Sequence, residues 1–152
     1  MLFTYLLAVL IMAAGFVFTV LCSGGALWVY LDLPSAIIVI CVPLLYQLVL
    51  FGPAGFKRAF AAPFRKGVVL EQVTSAQLFF KAYNKVTWIT AFIAVFMGVI
   101  AMMYFLEDKT ALGPNMAVAL ISSLYAGIVY VIVIIPNSVL LKRRLIELNT
   151  EV

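Results

Sequence analysis

The chain has 152 residues, of which 66% are hydrophobic and only 11% are charged. Soluble globular domains carry roughly 25% charged residues, so this composition excludes an ordinary soluble fold and predicts an all-α integral membrane protein. The net charge of +4 lies in loops beside apolar segments rather than on one basic face, which excludes nucleic acid as a partner.

Four apolar segments are each long enough to cross a lipid bilayer, for which a helix needs roughly 20 residues. They are predicted at about 2–22, 34–51, 86–106 and 114–141, within a single membrane domain that covers residues 1–152. The first is expected to be a retained helix rather than a cleaved signal, because no charged residue precedes it. The third is expected to continue a helix from about Glu71, and the short loops predict two helical hairpins.

The basic residues predict how the chain is oriented in the membrane. All but Lys109 of the ten Lys and Arg residues lie either in the segment 52–85 or in the basic C-terminal tail 142–152. By the positive-inside rule, both termini and the segment 52–85 are predicted to be cytoplasmic. The loops near residues 24–34 and 107–113 are predicted to face outward.

The segment 52–85 begins with an amphipathic pattern, in which Phe56, Phe60 and Phe64 recur every fourth residue among basic side chains. This pattern predicts a short helix lying against anionic lipid headgroups, and docking of a cytoplasmic partner is the alternative. The basic residues expected to make this contact are Lys57, Arg58, Arg65 and Lys66.

No charged residue lies within the four predicted spans, so the chain brings no intramembrane carboxylate of its own. The fourth span carries a hydroxyl pair, Ser122 and Ser123. Helical spacing puts Ser122 on one face with the small residues Ala119 and Ala126. Such a face either lines a path or packs closely against another helix. In the same helix, Pro136 is predicted to produce a kink.

Other polar or reactive side chains give weaker signals. Gln47, in the second span, is predicted to bond locally to its own or a neighbouring helix. Cys22 and Cys41 are predicted to be small buried residues rather than a disulfide or a metal site. The chain has no histidine, no phosphate-binding loop and no nucleophile–base set, so neither an enzyme, a metal site nor a cofactor is predicted.

Three stretches together resemble a known family. LGPNMAVALISSLYAGIVYVIVIIPNSVLLKR resembles the last transmembrane helix of MotA-type flagellar stator subunits in its Gly-Pro entry, its hydroxyl pair before Leu-Tyr, and its later proline and basic residues. SGGALWVYLDLPSAIIV resembles the outer loop of that family, represented here by Asp32, Pro34 and Ser35. AFIAVFMGVIAMMYFLEDKTALGP resembles its third helix, and the resemblance covers nearly all of the membrane part.

The resemblance implies a subunit of the MotA/TolQ/ExbB proton-channel family in the bacterial inner membrane. Copies in that family, as a pentamer, surround the helices of a dimeric MotB-, ExbD- or TolR-like partner, whose single span carries an ionisable Asp. The implied function is to couple proton or sodium flow to mechanical work, and the alternative is a non-conducting oligomeric scaffold of the same fold. The residues implied to line the ion path are Ser122, Ser123, Ala119, Ala126, Thr90 and Val95.

The chain departs from the family's pattern at three places. Its third helix has Trp88 where the family usually has proline and Val95 where the family usually has a pore-side threonine. The short segment 52–85 stands in place of the large cytoplasmic domain that contacts the flagellar rotor. These departures predict a minimal stator subunit that drives something other than a flagellar rotor.

Overall fold

The computed structural model describes residues 2–65, 67–107 and 109–150, and every regular element within them is helical. Two π-helical segments, at Ile37–Cys41 and Tyr130–Ile134, and a 3-10 turn at Leu27–Tyr30 accompany six α-helices. The α-helices are α1 (Leu2–Cys22), α2 (Leu33–Ala36), α3 (Val42–Ala61), α4 (Leu70–Tyr104), α5 (Lys109–Val129) and α6 (Ile135–Thr150).

Four helical stretches are long and apolar enough to cross a membrane, which confirms the predicted all-α membrane class. Two of them are composite: α2, the first π-helical segment and α3 form one, and α5, the second π-helical segment and α6 form another. The four stretches are Tyr5–Cys22, Leu33–Ala61, Leu70–Tyr104 and Leu112–Thr150.

Each π-helical segment is followed closely by a proline. The first ends at Cys41, just before Pro43, and the second ends at Ile134, just before Pro136. A proline ring inside a helix removes one backbone hydrogen bond and clashes with the carbonyl four residues earlier, and a wider π-type turn relieves that clash. The kink predicted at Pro136 therefore takes the form of a π-helical segment immediately before it.

The two ends of the bundle differ in character. The connections at residues 23–32 and 105–107 lie at one end, here called the hairpin end. The described residues that connect α3 to α4, the start of α1 and the end of α6 lie at the other, here called the basic end because most Lys and Arg residues of the sequence fall in or beside these segments. Helix α5 begins at Lys109, before the predicted start of the fourth span, and Pro114 lies inside it, in the second helical turn.

Helix α3 bends where its predicted span ends. Gly52 adopts φ 66° and ψ 167° inside the helix and is followed by Pro53. Only glycine takes this left-handed conformation readily, and the proline cannot donate the next helical hydrogen bond. The residues after Gly52 therefore form a separate short amphipathic helical segment at the basic end.

Two phenylalanines of this helical segment pack against α4 of the same chain. Phe56 and Phe60 pack edge-on against Phe79 of α4, with ring centroids 5.5 and 5.6 Å apart. Phe51 lies 5.2 Å from Phe79 as well, and Phe80 lies 5.3 Å from Phe60. Phe56 and Phe60 are therefore partly covered by an aromatic core at the basic end, and contact of this segment with headgroups stays a prediction.

The hairpin end is packed by small residues instead. A Cβ placed on Gly98 would lie 2.8 Å from the Cβ of Ala119 and 3.1 Å from the carbonyl oxygen of Asn115. Close to this crossing, Ala91 and Ala126 pack with Val39 of the first π-helical segment. Helices α4 and α5 therefore approach more closely than any side chain at position 98 would allow.

Helix α1 is peripheral. No residue of its membrane-spanning window is buried, and it packs mainly against the second π-helical segment and the 3-10 turn rather than α3. Its basic-end contacts centre on Tyr5, whose ring lies 5.1 Å from that of Phe64. Most of the surface of α1 is therefore left to lipid or to another chain.

Candidate functional site

The hydroxyl pair of α5 is divided between two environments. Ser122 is completely buried, whereas its neighbour Ser123 is exposed. Adjacent residues point about 100° apart around an α-helix, so only one of the two can face the same neighbour. The two serines therefore have different surroundings, although they are adjacent in the sequence.

Ser122 joins α5 to α2. Its Oγ lies 2.9 Å from Oγ of Ser35 and 2.8 Å from the carbonyl oxygen of Val118, one turn earlier on its own helix. Oγ of Ser35 also lies 3.3 Å from that carbonyl. One hydroxyl can donate to the carbonyl while the other donates to the first hydroxyl, so both buried serines are satisfied without leaving the chain.

Tyr125 fastens the loop before α2 to the same helix. Its hydroxyl donates to the carbonyl oxygen of Tyr30 at 2.6 Å and accepts from the backbone N–H of Asp32 at 3.0 Å. The Asp32 carboxylate in turn caps α2 by accepting from the N–H of Ser35 at 2.9 Å. Asp32 and Ser35, predicted as outer-loop residues, thus form with Tyr125 a polar seam that fixes the hairpin end, while Pro34 is exposed in the first turn of α2.

Ser123 lies on the outer surface of the bundle. Its hydroxyl forms no hydrogen bond within the described part of the chain. Leu120 and Gly127 share its face at one-turn spacing; Leu120 is 65% exposed, and a Cβ on Gly127 would meet nothing within 4 Å. A small residue and an unpaired hydroxyl one turn apart form a shallow site at which another helix could approach closely.

The other residues predicted for the ion path lie deeper or are already bonded. Ala119 is 5% exposed and Ala126 is fully buried, so the small face of α5 packs inside the chain. Oγ1 of Thr90 lies 3.0 Å from the carbonyl oxygens of both Val86 and Thr87 on its own helix. Val95 is half-buried on α4. Of the predicted set, Ser123 alone combines an exposed position with a free polar group.

Two predictions about individual side chains differ from the structure. Gln47 is fully buried, and neither polar atom of its amide has a hydrogen-bond partner among the described residues, so the predicted local bond does not form. Cys22 and Cys41 are free and exposed, not buried. Both cysteines lie on surfaces that helices of this chain do not cover.

The predicted basic contact residues are solvent-accessible as far as they are described. Lys57, Arg58 and Arg65 are exposed, and Lys66 lies outside the described residues. Among the described residues, no group of three His, Cys, Asp or Glu side chains is placed to hold a metal ion. Contact of the basic side chains with headgroups or with a cytoplasmic partner stays a prediction.

Sequence reasoning missed two residues of this region. Tyr125 appears in the sequence only as part of the family motif. Its hydrogen bonds to Tyr30 and Asp32 could not be predicted, because those residues lie far from it in the sequence. Gly127 follows Ser123 by four residues, and this Ser-x-x-x-Gly spacing is the signal that could have identified the exposed face.

The structure has four helical stretches long and apolar enough to cross a membrane, which is consistent with a multi-pass membrane protein. Comparison with known proteins finds no matching family model and no matching curated protein. The resemblance to proton-channel subunits therefore stays a prediction that is based on the motifs of the sequence.

Tyr125→Phe is expected to lower the free energy of unfolding by ~1 kcal/mol, the scale of an inter-helix hydrogen bond in a membrane protein. The change removes the hydroxyl that holds Tyr30 and Asp32 and leaves the ring in place. Hydrogen exchange should quicken at residues 27–36 in particular. Tyr46→Phe is the matched control, because Tyr46 is 50% exposed and forms no hydrogen bond in the described chain; equal effects of the two changes would contradict the assignment.

Proposed function

We propose that the chain is a subunit of an ion-driven membrane motor, which assembles as a ring around the span of a partner that carries an intramembrane Asp. The observation that carries the proposal is the Ser123 hydroxyl, exposed and unpaired on a membrane-length helix. In hydrocarbon a hydroxyl facing lipid can bond only to its own helix, whereas one facing a second helix can bond across to it. The motif resemblance of α5 to stator subunits supports the same assignment.

The missing carboxylate supports a partner rather than a self-contained channel. No Asp, Glu, Lys or Arg occurs between Leu33 and Phe51 or between Val86 and Leu106. Coupled ion transport usually needs an ionisable group within the membrane. A partner helix that brings one Asp to Ser123 would complete the site, and the small surface at Gly127 would let that helix come close.

The mechanism follows from the charge of that Asp. As a carboxylate, it accepts a hydrogen bond from the Ser123 hydroxyl, which is a charge-assisted bond and stronger than a neutral one. When a proton binds the carboxylate, the charge is lost and the attraction falls, so the partner is free to turn toward the next copy. Loss of the proton on the other side restores the bond, so each ion that crosses advances the ring by one copy.

The positive charges support one orientation for this cycle. The basic end would face the cytoplasm and the hairpin end the outside, as the positive-inside rule expects for a bacterial inner-membrane protein. The machine served would be other than a flagellar rotor, because residues 62–69 alone connect α3 to α4. A non-conducting scaffold of the same fold is the competing function, and it would need no Asp-bearing partner.

Disulfide cross-linking in host membranes tests the proposal. In a background with Cys22→Ser and Cys41→Ser, Ser123→Cys is expected to cross-link to a single-span protein that carries a mid-membrane Asp, identified by mass spectrometry. Leu10→Cys, on α1 and in a residue that is 64% exposed, is the control that should not reach this partner. If Ser123→Cys links only to further copies of the chain, the scaffold is correct and the motor is not.

A further inference from the structure

A groove runs between α1 and α6 on the outer surface of the helices and does not include Ser123. Its volume is about 300 Å³. Small or ring-shaped residues, Ala8 and Pro136, lie in it, and the exposed side chains of Ile135 and Val139 border it. The remaining lining residues are Tyr5, Leu140 and Arg143.

The groove has one polar end. Arg143 lies at its basic end and is exposed, whereas the α6 residues farther into the membrane are apolar. From Arg143 to Ile135 the helix rises about 12 Å, close to the roughly 15 Å of hydrocarbon in one leaflet. The groove thus has the charged Arg143 at one end and apolar side chains along the part that extends toward the membrane midplane.

Among the described residues, no acidic side chain forms an ion pair with Arg143. The one ion pair within the described part of the chain joins Arg144 to Glu147, at 3.1 Å. The adjacent Lys142 carries the same charge as Arg143 and is exposed. The guanidinium is therefore available to an anion that comes from outside the chain.

We propose that this groove binds one anionic glycerophospholipid, with its phosphate at Arg143 and one acyl chain along Val139, Pro136 and Ala8. The direction of the groove matches a lipid whose headgroup is at the basic end and whose chains point to the midplane. A second copy fits this particular groove less well, since a parallel copy, as in the proposed ring, would bring basic side chains rather than an anion to Arg143. Basic grooves between membrane helices are a recognised type of anionic-lipid site.

Photo-cross-linking of the intact protein in nanodiscs tests the site. A trace of phosphatidylglycerol with a diazirine in its acyl chain is expected to label peptides that contain Ala8 and residues 135–140. Arg143→Gln should lower that yield about fivefold, and Lys142→Gln less than about twofold, because only the first residue lines the groove. Ala8→Phe, which fills the groove and keeps the charge, should lower the yield as well.

A phosphatidylcholine probe with the same diazirine is the headgroup control, and its labelling should be weak and insensitive to Arg143→Gln. Equal labelling by the two probes, or equal effects of Arg143→Gln and Lys142→Gln, would overturn the site. A cross-link between copies through Val139→Cys, with no lipid label in the groove, would assign the surface to a second copy instead. None of these outcomes depends on the proposed motor function, because each is read without ion flow.

Discussion

Gly98→Ala is expected to destabilise the protein by about 1–3 kcal/mol, the range for an extra methyl group forced into a well-packed interface. The new Cβ would lie 2.8 Å from the Cβ of Ala119 and 3.1 Å from the carbonyl oxygen of Asn115. Neither neighbour is the flexible end of a long side chain, so relief requires α4 and α5 to move apart. Unfolding in mixed detergent micelles, followed by loss of helical circular dichroism, measures the change.

A double substitution separates this contact from the general effect of replacing a glycine. Ala119→Gly removes the methyl group that the new Cβ would meet, so Gly98→Ala with Ala119→Gly should recover much of the stability lost by Gly98→Ala alone. Gly127→Ala is the matched control, because a Cβ there meets nothing within 4 Å, and alanine favours the helix. Strict additivity of the two substitutions would contradict a direct contact between positions 98 and 119.

The membrane class could be predicted from composition because it depends on few features. Length and hydropathy suffice to identify helices that can cross a bilayer, and a helix satisfies its backbone hydrogen bonds within its own segment. The end of the second span was predicted at Phe51, and the chain does bend at Gly52. The fourth span was predicted to begin at Pro114 because a Gly-Pro pair is typical of a turn, whereas the structure includes both residues in α5.

Packing partners could not be predicted in the same way. The spacing of Phe56 and Phe60 gives an amphipathic face but not what covers it, and lipid and Phe79 satisfy that face equally well from the sequence. The π-helical segments were missed because a proline predicts a disturbed helix without saying how the freed carbonyl is accommodated. Contacts with α4 decided what covers the phenylalanines, whereas each π-helical segment is local to the proline that follows it.

In the candidate site, too, the sequence predicts which residues share a face but not what that face contacts. Helical periodicity correctly put Ser122 on one face with Ala119 and Ala126, and that face is small and continuous. Periodicity cannot tell whether such a face is turned toward a neighbouring copy or toward α4 of the same chain. Because Ser35 and Gly98 supply matching partners within the chain, the face is internal, and the exposed serine is its neighbour, Ser123.

The two hydroxyls of the pair differ because Ser122 is buried in an internal hydrogen-bonded contact, whereas Ser123 is exposed. Ser122 and Ser35 share one carbonyl at the seam, so Ser122→Ala leaves Ser35 within 3.3 Å of the Val118 oxygen and costs little. Ser123 has no such internal substitute. A test of function must therefore change the two serines separately, because the double substitution would mix a packing change with a loss of the exposed hydroxyl.

Ser123→Val is expected to lower ion-dependent work by the intact complex about ten- to a hundred-fold. Valine removes the hydroxyl and has the shape of threonine, so Ser123→Thr controls for its added bulk. A hydrogen bond to a charged group contributes about 1.5–3 kcal/mol. The loss should appear as a lower rate of ion-driven turnover while the assembled complex stays intact on size-exclusion chromatography.

Two further variants decide what such a loss means. Ser123→Thr retains a hydroxyl and should keep most of the activity, whereas Ser122→Ala should leave turnover near that of the unaltered complex. If Ser122→Ala is as harmful as Ser123→Val, the internal seam controls activity and the exposed hydroxyl is not the group that meets the ion-binding carboxylate. If Ser123→Val works normally, no path through this face exists, since no other residue of the predicted set pairs an exposed position with a free polar group.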